Sequence, residues 1–168
     1  HSNTVDVGGN GGGAWLAGPA VFDRVRVDNN SAYDYGGGVY AAHSLVVSAT
    51  AFINNTAFSG GGVYLEGNGY ASRFVNNIFS RNYANNDGSA LYLHQQNPAS
   101  RADLIHLTIA DPDLIANSAI YVPTGTVYIT NTIFADHTID ILVLTDAVVY
   151  EDYNLYDDGP NFTGLVNE

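Results

Sequence analysis

The stretch Gly36-Gly37-Gly38-Val39-Tyr40 decides the fold, because variants of it recur along the chain. The other copies are Gly11-Gly12-Gly13-Ala14-Trp15, Gly60-Gly61-Gly62-Val63-Tyr64, Gly88-Ser89-Ala90-Leu91-Tyr92 and Ser118-Ala119-Ile120-Tyr121. Measured at the residue before each aromatic, successive copies lie 25, 24, 28 and 29 residues apart. A second block of the form apolar-x-x-Asn follows the first three copies, as Val27-Asp28-Asn29-Asn30, Phe52-Ile53-Asn54-Asn55 and Phe79-Ser80-Arg81-Asn82.

Apolar residues inside each block alternate with a period of two, as Val39 and Ala41 do, which is typical of β-strands. No long stretch has the spacing of an amphipathic helix, and Gly and Asn interrupt the chain every few residues. A unit this short cannot bury its strands alone, whereas stacked units bury a continuous core. The sequence therefore predicts an all-β parallel β-helix of about six coils, each rising about 4.8 Å.

Composition excludes several functional classes. The 168 residues carry a net charge of -12, with 17 Asp and Glu against five Arg and no Lys, so nucleic acid is not an expected partner. The absence of Cys excludes disulfides, Cys-ligated zinc and a thiol nucleophile. No apolar run approaches the roughly 20 residues of a membrane helix, so we expect no membrane insertion.

The paired motifs Gly-Gly-Gly-Val-Tyr and Phe-x-x-Asn resemble the repeats of polymorphic outer-membrane proteins and of other bacterial secreted, surface-anchored β-helix proteins. The stretches Asn131-Thr132-Ile133-Phe134-Ala135-Asp136 and Tyr153-Asn154-Leu155-Tyr156-Asp157-Asp158-Gly159 are similar to the closing coils of that group. The resemblance implies a right-handed helix and an extracellular or cell-surface location. We expect one domain over 1–168, a segment of a longer or processed secreted protein. It would comprise a cap or partial coil at 1–10, coils at 11–158 and a C-terminal end at 159–168.

Equivalent positions of stacked coils form columns, and two columns stand out. The first is aromatic, and alternation places its rings outward, where they form a candidate interaction face or simply stabilise the sheet through cross-strand pairs. Its members are Trp15, Tyr40, Tyr64, Tyr92 and Tyr121. The second column, Asn30, Asn55 and Asn82, predicts an internal ladder of amide hydrogen bonds at a turn.

A third column lies two residues after each apolar anchor and becomes acidic, as Asp111, Asp136 and Asp157. Carboxylates on consecutive coils lie about 5 Å apart, where each raises the pKa of the next. Two interpretations remain open: the side chains splay into solvent, or a calcium ion sits between them, since calcium prefers such oxygen ligands. Calcium is the only cofactor that the sequence suggests.

These observations favour a non-catalytic extracellular or cell-surface module, structural or adhesive, with the aromatic column as its candidate interaction face. Its partners would be further copies of itself or other cell-surface proteins, with glycans as another class. The alternative is a β-helix that binds or degrades polysaccharide as a lyase or hydrolase. That alternative lacks a Lys base and the paired-acid motifs, so no catalytic residue is assigned and the enzyme question stays open.

Overall fold

The computed structural model describes residues 4–5, 9–68, 71–96, 100–111, 117–157, 161–164 and 166–167. Within these residues the chain is all-β and contains no helix. Parallel strands stack into a β-solenoid of about five turns, close to the six predicted, so the predicted fold class is confirmed. The described residues include no helix with the length and apolar character needed to cross a membrane.

Three parallel sheets run along the rod, and we number the coils by their first strand in sheet 1. In coils 1–4, each coil contributes two strands to sheet 1, which we call the first and second arms. The first arm consists of Ala14–Leu16, Val39–Ala41, Val63–Leu65 and Leu91–His94. The second arm consists of Ala20–Asp23, Leu45–Ser48, Ser72–Val75 and Arg101–Ile105. In coils 5 and 6 single long strands, Ser118–Thr130 and Ile139–Asp152, span both arms.

The other two sheets complete each coil. Sheet 2 consists of Arg26–Asp28, Ala51–Ile53, Ile78–Ser80, Thr108–Ala110, Ile133–Ala135 and Leu155–Tyr156. Sheet 3 consists of Thr4–Val5, Ser31–Ala32, Thr56–Ala57 and Tyr83–Ala84. Phe162–Thr163 and Val166–Asn167 pair with the last long strand of sheet 1, so short segments at both ends add to the stack.

The core fills the space between the sheets with columns of identical register. Sheet 2 contributes Val27, Phe52, Phe79, Ile109, Phe134 and Tyr156, each aligned with the next. The rings of Phe52 and Phe79 stack with centroids 4.7 Å apart. Residues flanking the aromatics of the first arm, such as Val63 and Leu65, are fully buried, as the alternation predicts. Burying each such side chain contributes about 1.5–3 kcal/mol.

The first coil is less well covered than the coils inside the stack. Ala14, Leu16, Ala20 and Phe22 are only half-buried, whereas their partners one coil further along are fully buried. The strand Thr4–Val5 pairs with Ser31–Ala32 and so extends sheet 3 alone.

The glycine runs answer two separate geometric needs. The first glycine of a run, such as Gly36 with φ +68°, adopts the left-handed conformation that turns the chain from sheet 3 into sheet 1. The second, such as Gly37, allows the coils to approach, because a Cβ there would lie 2.4 Å from the carbonyl oxygen of Thr56 and 2.5 Å from that of Gly61. The glycine runs therefore form the turns and also set the coil spacing.

Buried Asn side chains hold the turn between sheets 2 and 3. Asn30 Nδ2 donates to Asn55 Oδ1 at 3.0 Å, and Asn55 Nδ2 donates to Asn82 Oδ1 at 3.0 Å. Asn55 Oδ1 also accepts from the Asn30 backbone N–H, and its Nδ2 donates to the Val27 carbonyl. The amide of Asn55 thus satisfies both of its acceptor sites and both of its donors.

A second ladder, which the sequence analysis did not identify, lies at the turn between sheets 1 and 2. Thr50 Oγ1 accepts from the Val25 backbone N–H, and Asn77 Oδ1 accepts from that of Thr50. Thr132 and Asn154 repeat the arrangement in the later coils. The ladder is interrupted at Leu107 and mixes Thr with Asn, so no single residue type marks it in the sequence.

Replacement of Asn55 by Ala tests the first ladder. We expect Asn55→Ala to lower the free energy of unfolding by more than about 3 kcal/mol, because it leaves several buried polar groups without partners. Urea denaturation measures the loss. The matched control is Asn54→Gly, an exposed neighbour with φ +53°, for which we expect a change within about 0.5 kcal/mol. Equal effects of the two substitutions would contradict the ladder's role.

A glycine pair tests the close approach of the coils. Gly37→Ala should lower the stability by at least about 3 kcal/mol or prevent folding, because its Cβ meets backbone atoms of the next coil. Gly18→Ala should leave the Tm unchanged, because nothing lies within 4 Å of the added atom. Thermal unfolding followed by circular dichroism compares the two variants, and similar Tm values would show that the contact is not required.

Candidate functional site

The five predicted aromatic residues form one continuous stack on the outside of the first arm. Register pairs Trp15 with Tyr40, Tyr40 with Tyr64, Tyr64 with Tyr92, and Tyr92 with Tyr121. Successive ring centroids lie 6.4, 5.5, 4.5 and 4.7 Å apart. We call this set the aromatic column.

The aromatic column is not open along its length, which corrects the expectation of five exposed rings. Trp15 is 57% exposed, but Tyr40 and Tyr64 are only 8% and 7% exposed, and Tyr92 and Tyr121 are half-buried. Tyr35 packs against Tyr64 with ring centroids 4.7 Å apart. Only the Trp15 end of the column therefore presents a large free aromatic surface.

Glu66 fixes the covered part of the column. Its Oε2 accepts a hydrogen bond from the Tyr40 hydroxyl, and its Oε1 accepts one from Gln96 Nε2 at 2.5 Å. Burial, followed by the hydrogen bond and charge of Glu66, raises the pKa of Tyr40 well above its usual range. Burial together with nearby Tyr92 raises the pKa of Tyr64 in the same direction. The covered hydroxyls therefore stay neutral over the physiological range.

A recess opens beside the column because three neighbouring loops differ in length. Between the alanine that ends sheet 3 and the next glycine, coil 1 has three residues (33–35), coil 2 has two (58–59) and coil 3 has three (85–87). The strands on either side keep their register, so the shorter middle loop leaves a concavity. Its volume is about 520 Å³.

Aromatic and polar side chains share the lining of this recess, which we call the aromatic recess. Tyr33 is 62% exposed and Phe58 is 49% exposed, and both line it with Tyr35, Asp34, Thr56 and Asn85. Asn85 Oδ1 accepts a hydrogen bond from the Tyr83 hydroxyl at 2.8 Å, which leaves its Nδ2 as the donor group. Among the described residues, the Asp34 carboxylate forms no ion pair.

Tyr35 joins the aromatic recess to the aromatic column, since its ring both lines the recess and packs on Tyr64. Four of the six exposed aromatic side chains among the described residues, Trp15, Tyr33, Tyr35 and Phe58, lie in coils 1 and 2, and the other two are Tyr150 and Tyr153 of coil 6. Sequence analysis missed the recess because Tyr33, Tyr35 and Phe58 lie outside the repeated motifs. The available signal was the count of residues between alanine and glycine, which falls by one in coil 2 alone.

The described residues of the acidic column do not form a cluster of carboxylates. Asp111 is buried, whereas Asp136 and Asp157 are exposed. The register pairs Phe134 with Tyr156, so Asp157 aligns with Ala135 and lies one position before the partner of Asp136. Its Oδ2 accepts a hydrogen bond from the Asp136 backbone N–H at 2.9 Å. Within the described ranges no group of three His, Asp or Glu residues could hold a metal ion, so the geometry lends no support to the calcium hypothesis.

Comparison of the chain with protein-family models, with curated proteins and with solved structures gave no match. The surface chemistry of coils 1 and 2 is therefore the main guide to function.

Because the tyrosines of the column have raised pKa values, we predict that the protein loses stability at high pH. Burial, with the neighbouring hydroxyl of Tyr121, raises the pKa of Tyr92 to about 12, above the value of about 10 for a free tyrosine. Because the folded state favours the neutral phenol, this stabilisation is complete below about pH 10 and is lost as the pH rises through about 12. Urea denaturation between about pH 8 and pH 12 measures the decline.

The control for this pH dependence is Tyr92→Phe, which keeps the ring and removes the ionisable hydroxyl. Its free energy of unfolding should fall less steeply over the same interval than that of the unaltered chain. A pH dependence identical in the two proteins would show that Tyr92 does not contribute to it.

Proposed function

We propose that the chain is a non-catalytic extracellular module of a cell-surface protein, of the bacterial secreted type, that works in adhesion. The observation that carries the proposal is the exposed aromatic surface of coils 1 and 2. It consists of Trp15 at the open end of the aromatic column and of Tyr33, Tyr35 and Phe58 at the aromatic recess.

The rod supports this surface in a way that suits recognition. Aromatic side chains are enriched at protein interfaces, because a stiff ring buries much area at little cost in side-chain entropy. The strand of Trp15 pairs with the next coil, and the loops of Tyr33 and Phe58 are bonded through their backbones to the loops beside them. The surface is therefore pre-organised and loses little freedom on binding.

The partner expected from this chemistry is a cell-surface protein, a glycan or another copy of the chain. The net charge of -12 disfavours strongly anionic partners at this surface. Self-association has separate support from the half-buried apolar residues of coil 1. The outer edges of its strands in sheets 1 and 2 also have no partner among the described residues. We expect chelators to leave both modes unchanged, because no group of three acidic or His side chains among the described residues could hold a metal ion.

The polysaccharide alternative gains support in its binding form from the aromatic recess. Its volume of about 520 Å³ falls within the range of about 300–1,000 Å³ that is typical of small-ligand sites. A hydrolase would further require two acids placed across the bound sugar, and the recess is lined by one carboxylate, that of Asp34.

Bead adhesion tests the proposal. Latex beads coated with the chain should adhere to an epithelial-cell monolayer or to one another, more strongly than beads coated with albumin. Replacing both Trp15 and Phe58 by Ala should reduce adhesion about tenfold or more, since each exposed ring contributes on the order of 1 kcal/mol.

The matched control is Tyr150→Ala, which removes an exposed ring of the second arm in coil 6, where Tyr150 stacks on Tyr128. This variant should adhere like the unaltered chain. Adhesion no greater than that of albumin beads would overturn the proposal. Equal losses in the two variants would show that coils 1 and 2 are not the adhesive surface.

A further inference from the structure

We infer that the aromatic recess binds a neutral sugar residue of a glycan, an inference that rests on the proposed adhesive function and names the ligand of its binding surface. The recess lies between the loops of coils 1 and 3, over the shorter loop of coil 2. The size suits one or two pyranose rings.

The aromatic lining matches the apolar faces of a sugar. A pyranose ring presents C–H groups on its faces and hydroxyl groups around its edge. Tyr33 and Phe58 have freely exposed rings on adjacent coils, and Tyr35 adds a third ring at the border with the column. Stacking a sugar face on these rings buries apolar surface that is otherwise in contact with water.

The polar lining matches the edge of the same ring. A sugar hydroxyl both donates and accepts, so a neighbouring pair of hydroxyls is bound best by an acceptor beside a donor. Asp34 supplies carboxylate oxygens, and Asn85 supplies Nδ2, whose orientation is set by the hydrogen bond from Tyr83 to Asn85 Oδ1. Hydrogen bonds to a carboxylate are stronger than those between neutral groups.

Charge restricts the glycan to a neutral one. Among the described residues no Arg or His lines the recess, and Asp34 places a negative charge at its edge. A uronic acid or a sulfated sugar would therefore meet repulsion with no compensating cation. The overall charge of -12 acts in the same direction.

The neighbouring strands make a peptide a poorer fit. Extended peptides commonly bind by adding a strand to a free sheet edge. At the recess, Ser31–Ala32 already pairs with Thr4–Val5 on one side and through Ser31 with Thr56 on the other, and Thr56–Ala57 also pairs with Tyr83–Ala84. No backbone edge is open there within the described part of sheet 3.

Calorimetric titration of the full chain with neutral oligosaccharides (cello-, xylo-, manno- and chito-oligomers) tests the inference, with oligogalacturonate as the charged comparison. At least one neutral oligomer should bind saturably, and oligogalacturonate should not. Tyr33→Ala and Phe58→Ala should each weaken the affinity about tenfold, and Asp34→Ala should weaken it by a similar factor. Tyr33→Phe keeps the stacking ring and should retain most of the affinity.

Two controls separate binding from folding. The recess side chains in question are exposed or half-buried, so each variant should keep the Tm of the unaltered chain. Tyr150→Ala should bind the oligomer normally. Binding that survives all three recess substitutions would place the sugar elsewhere and overturn the inference.

The bead assay distinguishes failure of this inference from failure of the proposed function. If beads adhere through coils 1 and 2 but no neutral oligomer binds or competes, the ligand is a protein, and the inference falls while the adhesive function stands. If the beads do not adhere and no oligomer binds, both fall. Competition by the oligomer that binds in calorimetry, lost in Phe58→Ala, would support both.

Discussion

The hydrogen bonding of one buried amide, that of Asn55, is the constraint on which the rest of the structure depends. Placed inside the rod at a turn, it must find two donors and two acceptors without water. It finds them in Asn30, Asn82 and the Val27 carbonyl only if three consecutive coils keep the same register. The amide therefore fixes the turn relative to Val27, Phe52 and Phe79, the core residues of sheet 2 that lie three positions before the Asn in coils 1–3.

This strict register decides where the chain is free to vary. Positions between the apolar anchor and the Asn cannot change in number, because an added residue would break the ladder. The loops outside that interval can change, and they do: the segment between sheet 3 and the glycine run has two or three residues. A difference of a single residue is enough to form a recess, because the ladder and the glycine run hold the loop ends in place.

The features that repeat from coil to coil could be predicted from the sequence, and those that occur in a single coil could not. The inward residues, the aromatic column and the Asn column follow from periodicity, and the described residues place them in register. The covering of Tyr40 and Tyr64 was not predictable, because Tyr35 and Glu66 belong to no repeated motif. The acidic column failed at its last member because Leu155 and Tyr156 are both apolar, and periodicity alone could not tell which of them enters the core.

The direction of the hydrogen bonds gives the rod a particular response to force. Bonds between coils, both those of the backbone and those of the Asn ladder, run along its length. A pull on its two ends therefore loads these bonds directly, and because each coil contacts only its neighbours, coils separate one at a time. When a coil separates, the rod shortens by about 4.8 Å and roughly 80 Å of extended chain is released. A rod built in this way extends under force and dissipates the load one coil at a time.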